Sequence, residues 1–162
     1  MNLRCISGNI TCLKTDVIVN SANHRLVMGR GVCGEIFRKA GIFKLRFACR
    51  KIKRPIELGE AVITPAFKLK AKYIIHTASQ RYIDGKHNEE EILKMCYKNS
   101  IKLAIEHGCK SIAFPIIGSG MFGFSFETAF NIAFDTIQKF LTENNYDIEV
   151  IIVSIYPYFY PE

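Results

Sequence analysis

Residues 111–125 read SIAFPIIGSGMFGFS, and this stretch decides the fold. Its first seven residues, SIAFPII (111–117), form a continuous apolar run. A strand with one wet face alternates polar and apolar residues, whereas a strand covered on both faces does not. Gly118, Gly120 and Gly123 then make a G-x-G-x-x-G spacing, and a helical pattern follows from about 125 to 142. A strand, a glycine turn and a helix in that order bring backbone N–H groups and a helix N-terminus together, which is a setting that holds phosphate.

The same reading extends along the chain. DVIVN (16–20) reads as a buried strand, and residues 31–48 as one helix with Val32, Ile36, Phe37 and Ala40 on a common face. GEAVITPAF (59–67) and YIIHTAS (73–79) read as strands. NEEEILKMCYKNSIKLAIEHG (88–108) is a long amphipathic helix that Asn88 can cap and Gly108 can end. IEVIIVSIY (148–156) is the last strand. Strands that alternate with helices, and are apolar on both faces, indicate an α/β three-layer α/β/α sandwich with a central mixed or mostly parallel sheet. The 162 residues fit a single domain, 1–162.

Charge and cysteine usage narrow the class. The chain carries 22 Lys and Arg against 15 Asp and Glu, a net charge of +7. Six of the eleven residues of KLRFACRKIKR (44–54) are basic. Such an excess draws anionic partners, nucleic acid or phosphate-bearing ligands. Phe47 is the one aromatic in that run, so the run itself gives no interleaved stacking platform. No apolar run reaches the ~18 residues of a membrane span, and MNLRCISGNI lacks the apolar core of a signal peptide. The six cysteines form no C-x-x-C pair, and His107 with Cys109 lacks a second pair at zinc spacing. Buried free thiols in a cytoplasmic, reducing setting, no metal, no cofactor and a monomeric state are the expectations.

A second glycine stretch, GRGVCGEIF (29–37), carries the same spacing at Gly29, Gly31 and Gly34. Eight residues, SANHRLVM, separate it from the strand DVIVN, too far for a Rossmann turn. The loop is polar at its start, with Asn20, Ser21, Asn23 and His24. Two glycine loops at strand ends, drawn from distant parts of the chain, suggest one ligand with two phosphates gripped from both sides. Other chemistries lack their motifs. Ser119 does not sit in G-x-S-x-G, no G-x-x-x-x-G-K-[ST] occurs, and no paired carboxylates stand near either loop. His76, within YIIHTA, reads as a hydrogen-bonded structural histidine.

These stretches together resemble the macro domain family. GNITCLKTDVIVNSAN and GRGVCGEIFRKAG are similar to its first half, LGEAVITPAFKLKAKYIIHTAS to its middle, and SIAFPIIGSGMFGFSFETAFNIAFDTI to its last third. The resemblance runs over nearly the whole chain, in order. It implies an α/β/α sandwich that binds ADP-ribose or ADP-ribosylated protein in a cleft at the strand C-termini. By position, it puts Asn9 where an Asp reads the adenine amino group, with Ile10 beside it. Ala22 and Asn23 fall at the distal ribose, and Gly31, Val32, Cys33 and Gly34 along the ribose and diphosphate. Ile117, Gly118, Ser119, Gly120, Met121 and Phe122 form the opposite wall. Ile155 or Tyr156 lies against the adenine, and an aromatic there would stack well, which favours Tyr156.

The chain departs from the family pattern at Asn9, at Arg30 in place of a glycine, at Gln80 and Ser125 in place of prolines, and above all at Cys33. In the branch that removes ADP-ribose from proteins, an Asp stands at the position of Cys33. A second catalytic branch, echoed by VMGRG, uses a Lys and an Asp where this chain has Gln80 and Phe122. Beside a nucleic-acid binder acting through residues 44–54, which electrostatics permits and no motif supports, two readings stay open at this point. One is a hydrolase of mono-ADP-ribosyl or O-acetyl-ADP-ribose esters, with Asn23 and Cys33 at the catalytic positions. The other is a non-catalytic ADP-ribose reader.

Overall fold

Each central strand carries apolar side chains on both faces, and the structure uses both. It is a computed structural model that describes residues 2–156. Six strands, β1 (Leu3–Ser7), β2 (Val17–Ser21), β3 (Ala61–Pro65), β4 (Tyr73–Thr77), β5 (Ser111–Pro115) and β6 (Glu149–Ser154), form one sheet in the order β1-β6-β5-β2-β4-β3. All neighbouring pairs are parallel except β3 with β4, so the sheet is mixed. Side chains alternate between faces along each strand. Val17, Val19, Ile112, Phe114, Val150 and Ile152 enter one core, and Ile18, Ala113, Ile151 and Val153 enter the other.

The helices cover the two faces. Helices α1 (Gly31–Ala40) and α2 (Ile42–Arg50) bury Ile36, Phe37, Ala40, Leu45 and Cys49 against one. Helices α3 (Glu89–Glu106) and α4 (Phe126–Asn144) bury Leu93, Tyr97, Ile101, Ala133 and Ile137 against the other. That is the three-layer α/β/α sandwich expected from the sequence.

Four details correct the reading of the chain. The helix expected over 31–48 is two, because Gly41 at φ 113° cannot continue α1. Apolar spacing carries through the break, so periodicity alone does not reveal it. Strand β1 was not anticipated; LRCIS (3–7) is short and mixes polar with apolar residues, and its strand character comes from parallel pairing with β6. Asn88 stands at the start of α3 but makes no side-chain cap. Glu89 organises that end instead, taking the backbone N–H groups of Ile83 (2.9 Å), Asp84 (3.1 Å), Gly85 (2.8 Å) and His87. The thiols are not all interior: Cys12 is exposed and Cys5 half-buried, while Cys33, Cys49, Cys96 and Cys109 are buried. The far end of α3 follows expectation. Gly108 at φ 71° lets its own N–H reach Ile105 and that of Cys109 reach Ala104, each at 3.0 Å, which satisfies two orphan carbonyls.

Candidate ligand cleft

In an open parallel sheet, the chain leaves the carboxyl ends of the strands as loops that flank a crevice. Here β2, β5 and β6 end side by side, and a cavity of about 720 Å³ opens beyond them. Ser21 ends β2 and Ala22 and Asn23 follow it, Pro115 and Ile116 close β5, and Val153 to Tyr156 close β6. The two glycine loops form the sides.

The first loop leads into α1. Gly31, Val32 and Cys33 line the cavity, and their N–H groups belong to the first helical turn, where no carbonyl precedes them to accept. The Asn23 carboxamide shapes the approach. Its Nδ2 donates to the Val27 carbonyl at 2.8 Å, and its Oδ1 accepts from the Arg25 and Val27 N–H groups at 3.1 and 3.2 Å. Below the loop lies a buried polar chain. Asn20 Nδ2 donates to His76 Nδ1 at 3.0 Å and to Cys33 Sγ at 3.7 Å. An amide nitrogen can only donate, so His76 Nδ1 accepts, and the opposite nitrogen donates to Thr64 Oγ1 at 3.0 Å. Burial drives the His76 pKa down to about 4, so the ring is neutral and structural, as its sequence context suggested. Burial also pushes the Cys33 thiol up, against hydrogen bonds from the Gly29 backbone and the Asn20 side chain that pull it down. Cys33 is therefore neutral at pH 7 and copies neither a carboxylate nor a thiolate nucleophile.

The second loop is held by the core. The Ile117 N–H donates to Tyr97 Oη at 2.9 Å, and the Tyr82 N–H donates to the Phe122 carbonyl at 2.7 Å. Ser125 caps α4 by accepting from the Thr128 N–H at 3.2 Å. Gly118 sits at φ 88°, and a Cβ there would meet Phe124 at 2.9 Å. The N–H groups of Gly120, Met121 and Phe122 have no partner among the described residues, and all three residues line the cavity. They supply the donors that a diphosphate needs.

Of the ligand residues expected from the sequence, Ala22, Asn23, Gly31, Val32, Cys33, Gly118, Ser119, Gly120, Met121, Phe122 and Tyr156 all line this one cavity. Four others stand off its wall. Exposed Asn9 turns its Oδ1 to the Thr11 N–H (3.0 Å) and hydroxyl (2.7 Å), and Ile10 is buried in the core on the α1 face. Ile117 is fully buried. Gly34 has a packing role: a Cβ there would lie 2.6 Å from the Gly29 carbonyl oxygen. Arg30, whose direction the sequence left open, lines the cavity.

The wall also holds residues that sequence reasoning missed, Arg81 and Phe126 among them. Arg81 comes from the loop after β4, which Glu89 and the Tyr82–Phe122 hydrogen bond hold in place. Phe126 opens α4 and meets Tyr156 edge-on at 5.5 Å, making an aromatic corner at the β6 end. A signal for Phe126 was present in its place just after the glycine loop; Arg81 had none. Arg30 and Arg81 are the charged residues on the wall, and no carboxylate lines it among the described residues.

The comparisons with known proteins agree with this geometry. The macro domain family model matches residues 19–133. The chain is 45% identical over 145 residues to an O-acetyl-ADP-ribose deacetylase of Escherichia fergusonii, across 88% of this chain and 81% of that protein. It is 41% identical over 152 residues to the ADP-ribose glycohydrolase MACROD2 of Homo sapiens, across 92% of this chain and 35% of that one. It superposes on the Trypanosoma brucei macrodomain in complex with ADP-ribose with a TM-score of 0.86 at 30% identity, covering 96% of this chain and 64% of the other. With a family model matched over most of its length, and with both glycine loops facing one cleft, the chain belongs to the macro domain family.

Proposed function

We propose that this protein binds ADP-ribose and ADP-ribosylated protein in the cleft, and that it hydrolyses the ester joining ADP-ribose to a mono-ADP-ribosylated side chain or to acetate. One observation carries the reading. Two loops with unpartnered N–H groups face each other across about 720 Å³, with two arginines and no carboxylate on the described wall. That is a site for a dinucleotide-sized ligand with a central diphosphate. The printed names of the deacetylase and glycohydrolase relatives support the chemistry. The ribose ends of the ligand would fall to Asn23 and Phe122, and the adenine to the Phe126–Tyr156 corner.

The described wall holds no carboxylate or histidine to act as a base. Hydrolysis here rests on position: the loops fix the ester and a water beside the diphosphate, and exclusion of bulk water strengthens every N–H contact. A second reading, a reader that binds without turnover, is favoured by the neutral Cys33 at the position where the family's hydrolases carry Asp.

Titration calorimetry with ADP-ribose is expected to give one site, and no heat at millimolar ligand would overturn the binding claim. Incubation with auto-ADP-ribosylated protein, and separately with O-acetyl-ADP-ribose, is expected to release ADP-ribose at a rate that Asn23→Ala abolishes. Unchanged label on both substrates, together with activity gained by Cys33→Asp, would establish the reader instead.

A further inference from the structure

Helix α2 carries a second surface, remote in kind from the cleft. Between Glu35 and Glu57 lie eight lysines and arginines and no carboxylate, enough to account for the chain's whole excess of seven positive charges. Arg38 pairs with Glu35, while none of Arg46, Arg50 or Arg54 meets a carboxylate among the described residues. Those three line a cavity of about 310 Å³ with Leu26, Val27 and Met28. Arg46 and Arg50 are one helical turn apart, so they stand above each other on α2. Three guanidinium groups converging on one hollow, with no acid to neutralise them, fit a phosphodiester backbone.

The neighbouring stripe of the same helix is aromatic. Phe43 and Phe47, again one turn apart, are 81% and 61% exposed. Lys51 Nζ lies 4.6 Å from the centre of the Phe47 ring, a cation–π contact within the same surface. The sequence run 44–54 contains one aromatic; folding places Phe43 beside it and makes a pair. Large exposed rings next to unpaired arginines are the two parts of a single-stranded nucleic-acid platform, with phosphates on the cations and bases on the rings.

We propose that α2 binds single-stranded nucleic acid, with Arg46, Arg50 and Arg54 on the phosphates and Phe43 and Phe47 under the bases. The surface is separate from the ADP-ribose cleft and acts independently of it. An acidic polypeptide would satisfy the arginines but would leave the two rings without a partner.

The test is fluorescence anisotropy of the full chain with a labelled single-stranded RNA of mixed sequence. A duplex of that sequence and a poly-glutamate peptide serve as comparison probes. Binding is expected to fall with salt at a log–log slope near −2, as for about three phosphate contacts. Phe43→Ala and Phe47→Ala are each expected to weaken it about tenfold, and Arg46→Glu with Arg50→Glu to abolish it. The single strand should bind more tightly than the duplex. Unchanged melting temperatures of these surface variants separate loss of the platform from loss of the fold, and excess ADP-ribose should leave the RNA bound. Four outcomes overturn the proposal: no binding at low salt, indifference to both phenylalanine variants, equal affinity for poly-glutamate, or displacement by ADP-ribose.

Discussion

The two glycine loops share one spacing and are built on opposite principles. The first, 29–34, rests on polar side chains: Asn23 folded onto its own backbone, and Asn20 joining Cys33 to His76 beneath. The second, 118–123, rests on the apolar core, through Phe124 under Gly118 and the single buried hydroxyl of Tyr97. Even the glycines do different work. In the first loop the third glycine admits the Gly29 carbonyl at close range, whereas in the second the first glycine supplies a positive φ and clearance for a ring. A motif of three glycines thus fixes where a backbone can bend and says nothing of what holds it there.

The contrast can be broken most strongly at Gly34. A Cβ 2.6 Å from a backbone oxygen cannot be relieved by a side-chain rotation, so Gly34→Ala should cost roughly 3 kcal/mol and displace the first wall. Denaturant unfolding and ADP-ribose titration would both register it, and native values in both would refute the packing role. A smaller effect should come from acid. The unfolded histidine binds a proton near pH 6.5 and folded His76 only near 4, so its stabilising contribution is complete above 6.5 and is lost as pH falls through this window. By pH 5, above the range in which the Glu89 carboxylate protonates, the loss should reach about 2 kcal/mol. Equal unfolding free energies at pH 7 and 5 would remove His76 from the account of the first loop. The second loop has no histidine beneath it in the role of His76, and Tyr97→Phe tests its support directly. That change leaves the buried Ile117 N–H without an acceptor, for about 1–2 kcal/mol and a weaker grip on the diphosphate. Hydrogen exchange confined to residues 117–122 would separate it from a general loosening.

Much of this was legible in the chain. Strands β2, β4, β5 and β6 announce themselves because apolar residues occupy both of their faces, and that pattern has few other uses. Both loops, and most residues on the cleft wall, could be named from glycine spacing and family resemblance. What escaped was set by partners distant in sequence. Strand β1 exists because β6 offers an edge. Arg81 reaches the cleft because Glu89, eight residues on, gathers the loop, and the Asn9 amide oxygen is turned toward Thr11. Side-chain hydrogen bonds of this kind leave no periodicity to read.

Glu89 has a further consequence. Burial would raise its carboxyl, yet the N–H groups of Ile83, Gly85 and His87 hold it down to about 2, so this anchor stays ionised through the whole neutral range. The described cleft wall has no histidine or carboxylate, and burial pushes its one thiol upward. Between about pH 5 and 8 neither that thiol nor the Glu89 anchor behind the wall changes charge. To an approaching ligand these two groups are an electrical constant, so a dependence of binding on pH in that range would not come from them.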